Sequence, residues 1–223
     1  MQTISSLYKQ ILSGNHWYEF SIDINGVNYP QSQIKSLSIS NRLFDDAPSI
    51  GNTIAGEIDV EILTPTVTIP RMASLAPKLR VTNGVSTSEW ISKGTYFIDT
   101  RENANGVLTI HGYDSMLKTE ADFVDNSSYP RQASLVAADI ATAIGVTVDN
   151  RTDLTGITVP TLPVGYSQRE VLANIAVLAC GNWVISDDNA LLLVDMAIPG
   201  ETNLLITETG DVITFGGIGV VIG

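Results

Sequence analysis

Residues 54–63 read Ile-Ala-Gly-Glu-Ile-Asp-Val-Glu-Ile-Leu and alternate without a slip. Ile54, Gly56, Ile58, Val60 and Ile62 fall on one side of an extended chain, and Ala55, Glu57, Asp59 and Glu61 on the other, because strand side chains repeat with a period of two. A segment of this kind needs an apolar layer against one face and water against the other. That is the signature of an antiparallel sheet with one solvated side, not of a parallel sheet covered on both.

The flanking sequence predicts more of the same. Tyr18 to Ile24 alternates and meets Asn25-Gly26, a pair suited to a two-residue hairpin in which both positions need positive φ. Ile34 to Ser40 is expected to be its partner strand. Pro65 and Pro70 mark a loop. Leu79–Thr82 and Val85–Ile91 form a second expected hairpin around Asn83-Gly84, and Gly94–Arg101 with Val107–Tyr113 a third, across a loop at 102–106.

The period then changes. Ser134 is expected to cap a helix over Leu135–Ile144, with Gly145 at its end. Ser167-Gln168-Arg169-Glu170 is a capping box, and the helix it opens carries an apolar stripe of Val171, Leu172, Ile175, Leu178 and Ala179 before Gly181 stops it. Strands are expected again at 184–185, 189–194, 204–207 and 212–215, with Asp187-Asp188-Asn189 as a turn. A β block, two helices and more β give an α+β, mainly β, fold class.

Composition limits what such a fold does. The 223 residues hold 24 carboxylates against 12 Lys and Arg, a net charge of −12, yet only 16% are charged and 44% are hydrophobic. This is a folding chain and not an acidic disordered one. It offers no basic footprint for nucleic acid or an anionic membrane, and no apolar run reaches the length of a membrane helix. The excess is uneven: after Arg169 there are seven carboxylates and no basic residue.

Chemical motifs fare poorly. Glu57, Asp59 and Glu61 stand roughly 6.6 Å apart on one strand face, within the spacing of about 6.5 to 9.5 Å used by inverting glycosidases. An open strand face, however, lacks the apolar cleft that would raise one pKa. Asp45-Asp46 and Asp187-Asp188 are oxygen-rich but lack a calcium-loop spacing. The glycine-rich stretch Gly216 to Gly223 is not expected to cradle a phosphate, which needs a strand before it and a helix N-terminus after it. Cys180 is a lone cysteine at an apolar helix end, and His16 and His111 are the only histidines. The residues therefore predict no enzyme, no metal site and no cofactor.

Three stretches carry a resemblance. Gly94-Thr95-Tyr96-Phe97-Ile98-Asp99, a short loop, and Gly106-Val107-Leu108-Thr109-Ile110-His111-Gly112-Tyr113-Asp114-Ser115-Met116-Leu117 are similar to a strand pair of phage tail hub and tail-tip proteins. In that family the second strand enters a helical insertion through a Tyr-Asp-x-x-Leu pattern. Gly165 to Ala176, running through Cys180-Gly181-Asn182-Trp183-Val184-Ile185, resembles the family's capped helix and following hairpin. Ile34–Ser40 with Ser49-Ile50-Gly51-Asn52-Thr53-Ile54-Ala55 is similar to the entry into its first barrel. The likeness spans roughly residues 15–195 and contains no catalytic signature.

The resemblance implies two related antiparallel β-barrel domains, with a tube-attachment barrel over 1–92. The second domain, over 93–223, carries the two-helix insertion at about 114–181 and is expected to be incomplete at its C-terminus. It implies a virion protein of the baseplate or tail tip, assembled in the host bacterial cytoplasm. As a homotrimer it would meet a hexameric tail tube or a distal tail protein and the tape measure protein, and pass DNA at genome ejection without binding it specifically. Membrane binding by this segment is not expected. Glu57, Asp59, Glu61, Asp187 and Asp188 become candidate channel-facing residues, since a wall of carboxylates gives moving phosphates nothing to grip and repels them over about 8 Å. The competing expectation is a free-standing β-rich carbohydrate- or receptor-binding module using Trp17, Trp90 and Trp183.

Overall fold

The computed structural model describes residues 4–44, 48–63 and 69–196, with the backbone of 214–215 and 218–219. Asp45-Asp46, Pro65, the expected strand at 204–207 and most of the glycine-rich end lie outside the described residues.

A short helix α1 (Ser6–Leu12) leads into β1 (Trp17–Ile24), β2 (Val27–Pro30), β3 (Ile34–Ser40), β4 (Glu57–Leu63), β5 (Ser74–Thr82), β6 (Ile91–Ser92), β7 (Tyr96–Ala104) and β8 (Val107–Asp114). These eight strands make one antiparallel sheet in the order β2-β1-β5-β7-β8-β4-β3, with β6 also on β5. The alternation of β4 is realised as expected: Ile58, Val60 and Ile62 are buried while Glu57, Asp59 and Glu61 face outward.

Asn25 and Gly26 both take positive φ, 52° and 83°, and the turn they make returns the chain directly into β2, with Ile24 opposite Val27. The partner of β1 is thus a four-residue strand and not Ile34–Ser40, which pairs with β4 instead. The third hairpin is tighter than expected. Asn105 and Gly106 form a two-residue turn, at φ 54° and 78°, and Ala104 sits opposite Val107.

The sheet is an open path and not a closed barrel. Pro30 ends β2 and has no N–H to donate to a further ladder. The chain then passes through a 3-10 turn, Gln31–Gln33, into β3. The sheet also runs on across residue 92, since β7 and β8 lie inside it.

Beyond β8 a 3-10 helix, Ser115–Glu120, opens a second unit. It holds β9 (Arg131–Gln132), α2 (Ala133–Ile144), β10 (Thr147–Val148), β11 (Thr158–Val159), α3 (Gln168–Leu178), β12 (Gly181–Ile185) and β13 (Ala190–Asp195); β14 (Thr214–Phe215) and β15 (Ile218–Gly219) pair near the end. Among the described residues this half is no second barrel: its main sheet has three strands, β10-β13-β12. Two cores result. One is built on Ile22, Ile58, Leu75 and Ile110, the other on Met116, Ile140, Leu172, Ile175 and Trp183.

The helix ends show which local signals prevailed. Ser167 and Glu170 form the capping box, each side chain satisfying the other's backbone. Gly181 does not stop α3. Cys180 takes the left-handed position, φ 51°, and Gly181 begins β12, where a Cβ would meet the Val194 carbonyl oxygen at 2.7 Å. Ser134 does not cap α2, which starts at Ala133 without a side-chain cap, although Gly145 ends it in the left-handed conformation.

Candidate functional site

The outward side of β4 lies between β3 and β8. Ser36, Ser38 and Ser40 sit opposite Glu61, Asp59 and Glu57 on one flank, and Thr109, His111 and Tyr113 on the other. Every carboxylate in the stripe has a partner. Arg42 Nη2 reaches Glu57 at 3.2 Å, Lys35 Nζ reaches Glu61 at 3.1 Å, and the Ser36 hydroxyl donates to Glu61 at 3.0 Å. The Lys35 ammonium, helped by Ser36, holds the Glu61 carboxyl below its ordinary range.

The third pair was invisible in the sequence. His111 Nδ1 lies 2.7 Å from Asp59 Oδ1, and its ring meets Tyr113 edge-on at 4.8 Å between centroids. Nothing near His111 in the sequence is an acidic orienter; the register between β4 and β8 supplies one from 52 residues away. A His–Asp pair on an open strand face can orient a ring and share a proton. Among the described residues it has no hydroxyl or thiol hydrogen-bonded to it as a nucleophile.

Asp187 and Asp188 lie elsewhere, in the turn between β12 and β13. There Asn189 takes φ 57° and donates its N–H to Ser186 at 2.8 Å. Asp187 forms an ion pair with Lys93, which precedes β7, and so ties the two halves of the molecule together. Asp188 is exposed and lies in the field of Arg151. Among the described residues no hydrogen bond or ion pair joins this turn to the β4 stripe. No described cluster of three or more His, Cys, Asp or Glu could hold a metal, and no described helix is long and apolar enough to cross a membrane.

The junction of the two halves turns on Asp114, the Asp of the Tyr-Asp-x-x-Leu pattern. Its carboxylate accepts the Gly56 N–H at 2.7 Å and the Met116 N–H at 2.8 Å. Burial pushes its pKa up to about 7, although both N–H donors and Arg169 oppose the shift. Gly56 leaves room for these side chains: a Cβ would stand 2.4 Å from Asn41 Oδ1 and 2.8 Å from Asp114 Oδ2, so a larger residue would have to displace them. Beside the junction a groove of about 530 Å3 is lined by Asn52, Glu57, Tyr113, Glu120 and Arg169, among others.

The three tryptophans do not act together. Trp183 is 0% exposed and donates its indole N–H to the Leu172 carbonyl at 2.8 Å, so it belongs to the core. Trp17 and Trp90 are 53% and 37% exposed and line one groove on another part of the sheet.

No family model matches the chain, and no curated protein matches it. Its fold, in contrast, resembles solved structures. The 43 kDa tail protein of prophage MuSo2 from Shewanella oneidensis superposes with a TM-score of 0.56 at 14% identity, over 85% of this chain and 58% of that one. The tail protein from Neisseria meningitidis MC58 superposes with a TM-score of 0.53 at 15% identity, over 86% of this chain and 56% of that one. The chain thus spans little more than half the length of either. It shares its mainly antiparallel fold with two tail proteins.

Proposed function

We propose that this chain is a non-enzymatic structural component of a phage-type tail. Three copies form a ring at the end of the tail tube, and the hole of the ring continues the channel through which DNA leaves. The observation that carries this reading is the fold shared with two tail proteins over 85% and 86% of the chain, together with the stretches that resemble the hub and tail-tip family. Fold alone does not assign chemistry. The described surface offers a mixed-charge strand stripe in place of a nucleophile with its base, which suits a wall better than a catalyst.

The stripe refines how such a wall would treat DNA. Duplex binding takes Lys and Arg that are free to displace condensed counterions from phosphates. On the β4 face, Lys35 and Arg42 are already held by Glu61 and Glu57. We place this face on the lumen, where it presents phosphates with compensated cations and a sequence-blind, weakly interacting surface. The rest of the assembly follows from the same reading: a hexameric tube or distal tail protein on one side, and the tape measure protein in the channel before DNA.

Light scattering on the full chain tests the assembly. A mass of three times 23.9 kDa supports the ring, and a monomer across the accessible concentration range contradicts it.

A further inference from the structure

The sheet carries a second outward surface, separated from the β4 stripe by β7 and β8. Here the faces of β1 and β5 form an open groove of about 510 Å3, closed at its sides by residues of the β2 end and by Trp90. Its floor is a cross-strand pair. Glu19 and Arg80 sit opposite each other, and Arg80 Nε donates to Glu19 Oε2 at 2.7 Å. Arg80 and Lys78 also lie over the Trp90 ring, at 4.3 and 5.4 Å from its centroid. Trp17 forms the far end, its ring resting over Gly84. Beside the floor, Ser21 Oγ donates to Asn28 Oδ1 at 3.1 Å.

Part of each indole meets solvent in the groove, Trp17 being 53% and Trp90 37% exposed. Aromatic rings at a polar groove suit a ligand with one apolar and one hydroxylated aspect. A pyranose has both: axial C–H bonds that pack on an indole, and hydroxyls that meet planar groups such as those of Glu19, Arg80 and Asn28. The volume lies within the range of small-ligand sites.

Charge selects further. In a chain of net charge −12, this groove gathers Lys78 and Arg80 against Glu19. Glu19 is matched by Arg80, and among the described residues Lys78 forms no ion pair. The local excess is therefore positive, against the sign of the whole molecule. We propose that this groove binds an acidic saccharide, a pyranose unit bearing a carboxylate, with Trp17 and Trp90 packing on the ring and Lys78 meeting the carboxylate. The assignment stands on the groove itself and does not depend on ring assembly.

The full chain, labelled with 15N, reports the answer through its three indole N–H signals. Oligogalacturonate and sialyllactose are the acidic probes, with maltohexaose and lactose as neutral controls. The acidic sugars should move the Trp17 and Trp90 signals saturably and leave buried Trp183 in place, the latter also showing that each variant is folded. Lys78→Gln should weaken acidic binding about tenfold and erase the preference over neutral sugars, and Trp90→Phe should weaken both. Static Trp17 and Trp90 signals with all four sugars would overturn the proposal. An equal response to acidic and neutral probes would overturn the carboxylate assignment. If the two signals instead shift with protein concentration alone and ignore sugar, the groove is a protein interface and the proposal fails.

Discussion

Asp114 lies where the sheet hands the chain to the helical half, and its two oxygens collect N–H groups from Gly56 and Met116. Its folded pKa, raised from 3.8 to about 7 chiefly by burial, means that the folded state holds the proton more tightly than the unfolded chain does. The resulting stabilisation is complete below pH 3.8 and fades as pH rises to 7, by at most about 4 kcal/mol. Urea melts should show wild-type stability falling between about pH 4 and pH 7, and Asp114→Asn should flatten that slope. At Gly56 the constraint is steric: with Asn41 and Asp114 within 3 Å of the position of a Cβ, Gly56→Ala should cost about 1 to 3 kcal/mol, read from the same melts. The sequence showed the Asp-x-x-Leu pattern and placed Gly56 on the apolar face of a strand. It could not show that the two meet, because the approach joins residues 58 apart. The His111–Asp59 pair stayed hidden for the same reason, since its partner is supplied by register and not by proximity along the chain.

Among the elements, those defined by local chemistry were legible. The β4 alternation, the Asn25-Gly26 turn and the Ser167–Glu170 box each need only a few neighbouring residues. All three occur as expected. Ser167→Ala removes the acceptor for the Glu170 N–H and should cost about 1 kcal/mol, measurable as a lower denaturation midpoint with unchanged slope. What failed was pairing and termination. Ile34–Ser40 alternates well enough to partner β1, but the two-residue turn returns the chain into Val27–Pro30 first. Gly181 looked like a helix stop, yet it serves the close β12–β13 contact while Cys180 bears the positive φ. The β4 stripe was legible as acidic but not as compensated, because Lys35 and Arg42 reach it from the β3 side. Releasing them has a direct consequence. If the paired face is what keeps DNA from binding, Glu57→Gln with Glu61→Gln should make the chain retard duplex DNA on a gel at low salt where wild type does not, with retardation lost as salt rises.

At the scale of the whole molecule, the net charge of −12 no longer describes the surface evenly. The β4 stripe is paired, and the groove on β1 and β5 is locally positive. Asp187 spends its charge on Lys93 at the junction. The two cores are also joined by polar links from the segment before β4 to β12: the Gly51 N–H donates to the Gly181 carbonyl at 2.9 Å and the Trp183 N–H to the Asn52 carbonyl at 2.8 Å, and the Asn182 side chain accepts the Asn52 N–H at 2.8 Å. Arg151 holds Asp149 down to about 2, so this pair stabilises the fold above pH 3.8 and the contribution is lost as pH falls through 2. The fold class was readable because alternation and caps are local. That the sheet stays open was not, because alternation within a strand does not say whether the two edge strands, β2 and β3, pair with each other across Pro30 and the turn after it. Cryo-electron microscopy of the assembled full chain tests the proposed role most directly. We predict a three-fold ring with an open axial hole and the Glu57, Asp59 and Glu61 face lining it; a particle without a hole, or one with that face buried between copies or turned outward, would contradict it.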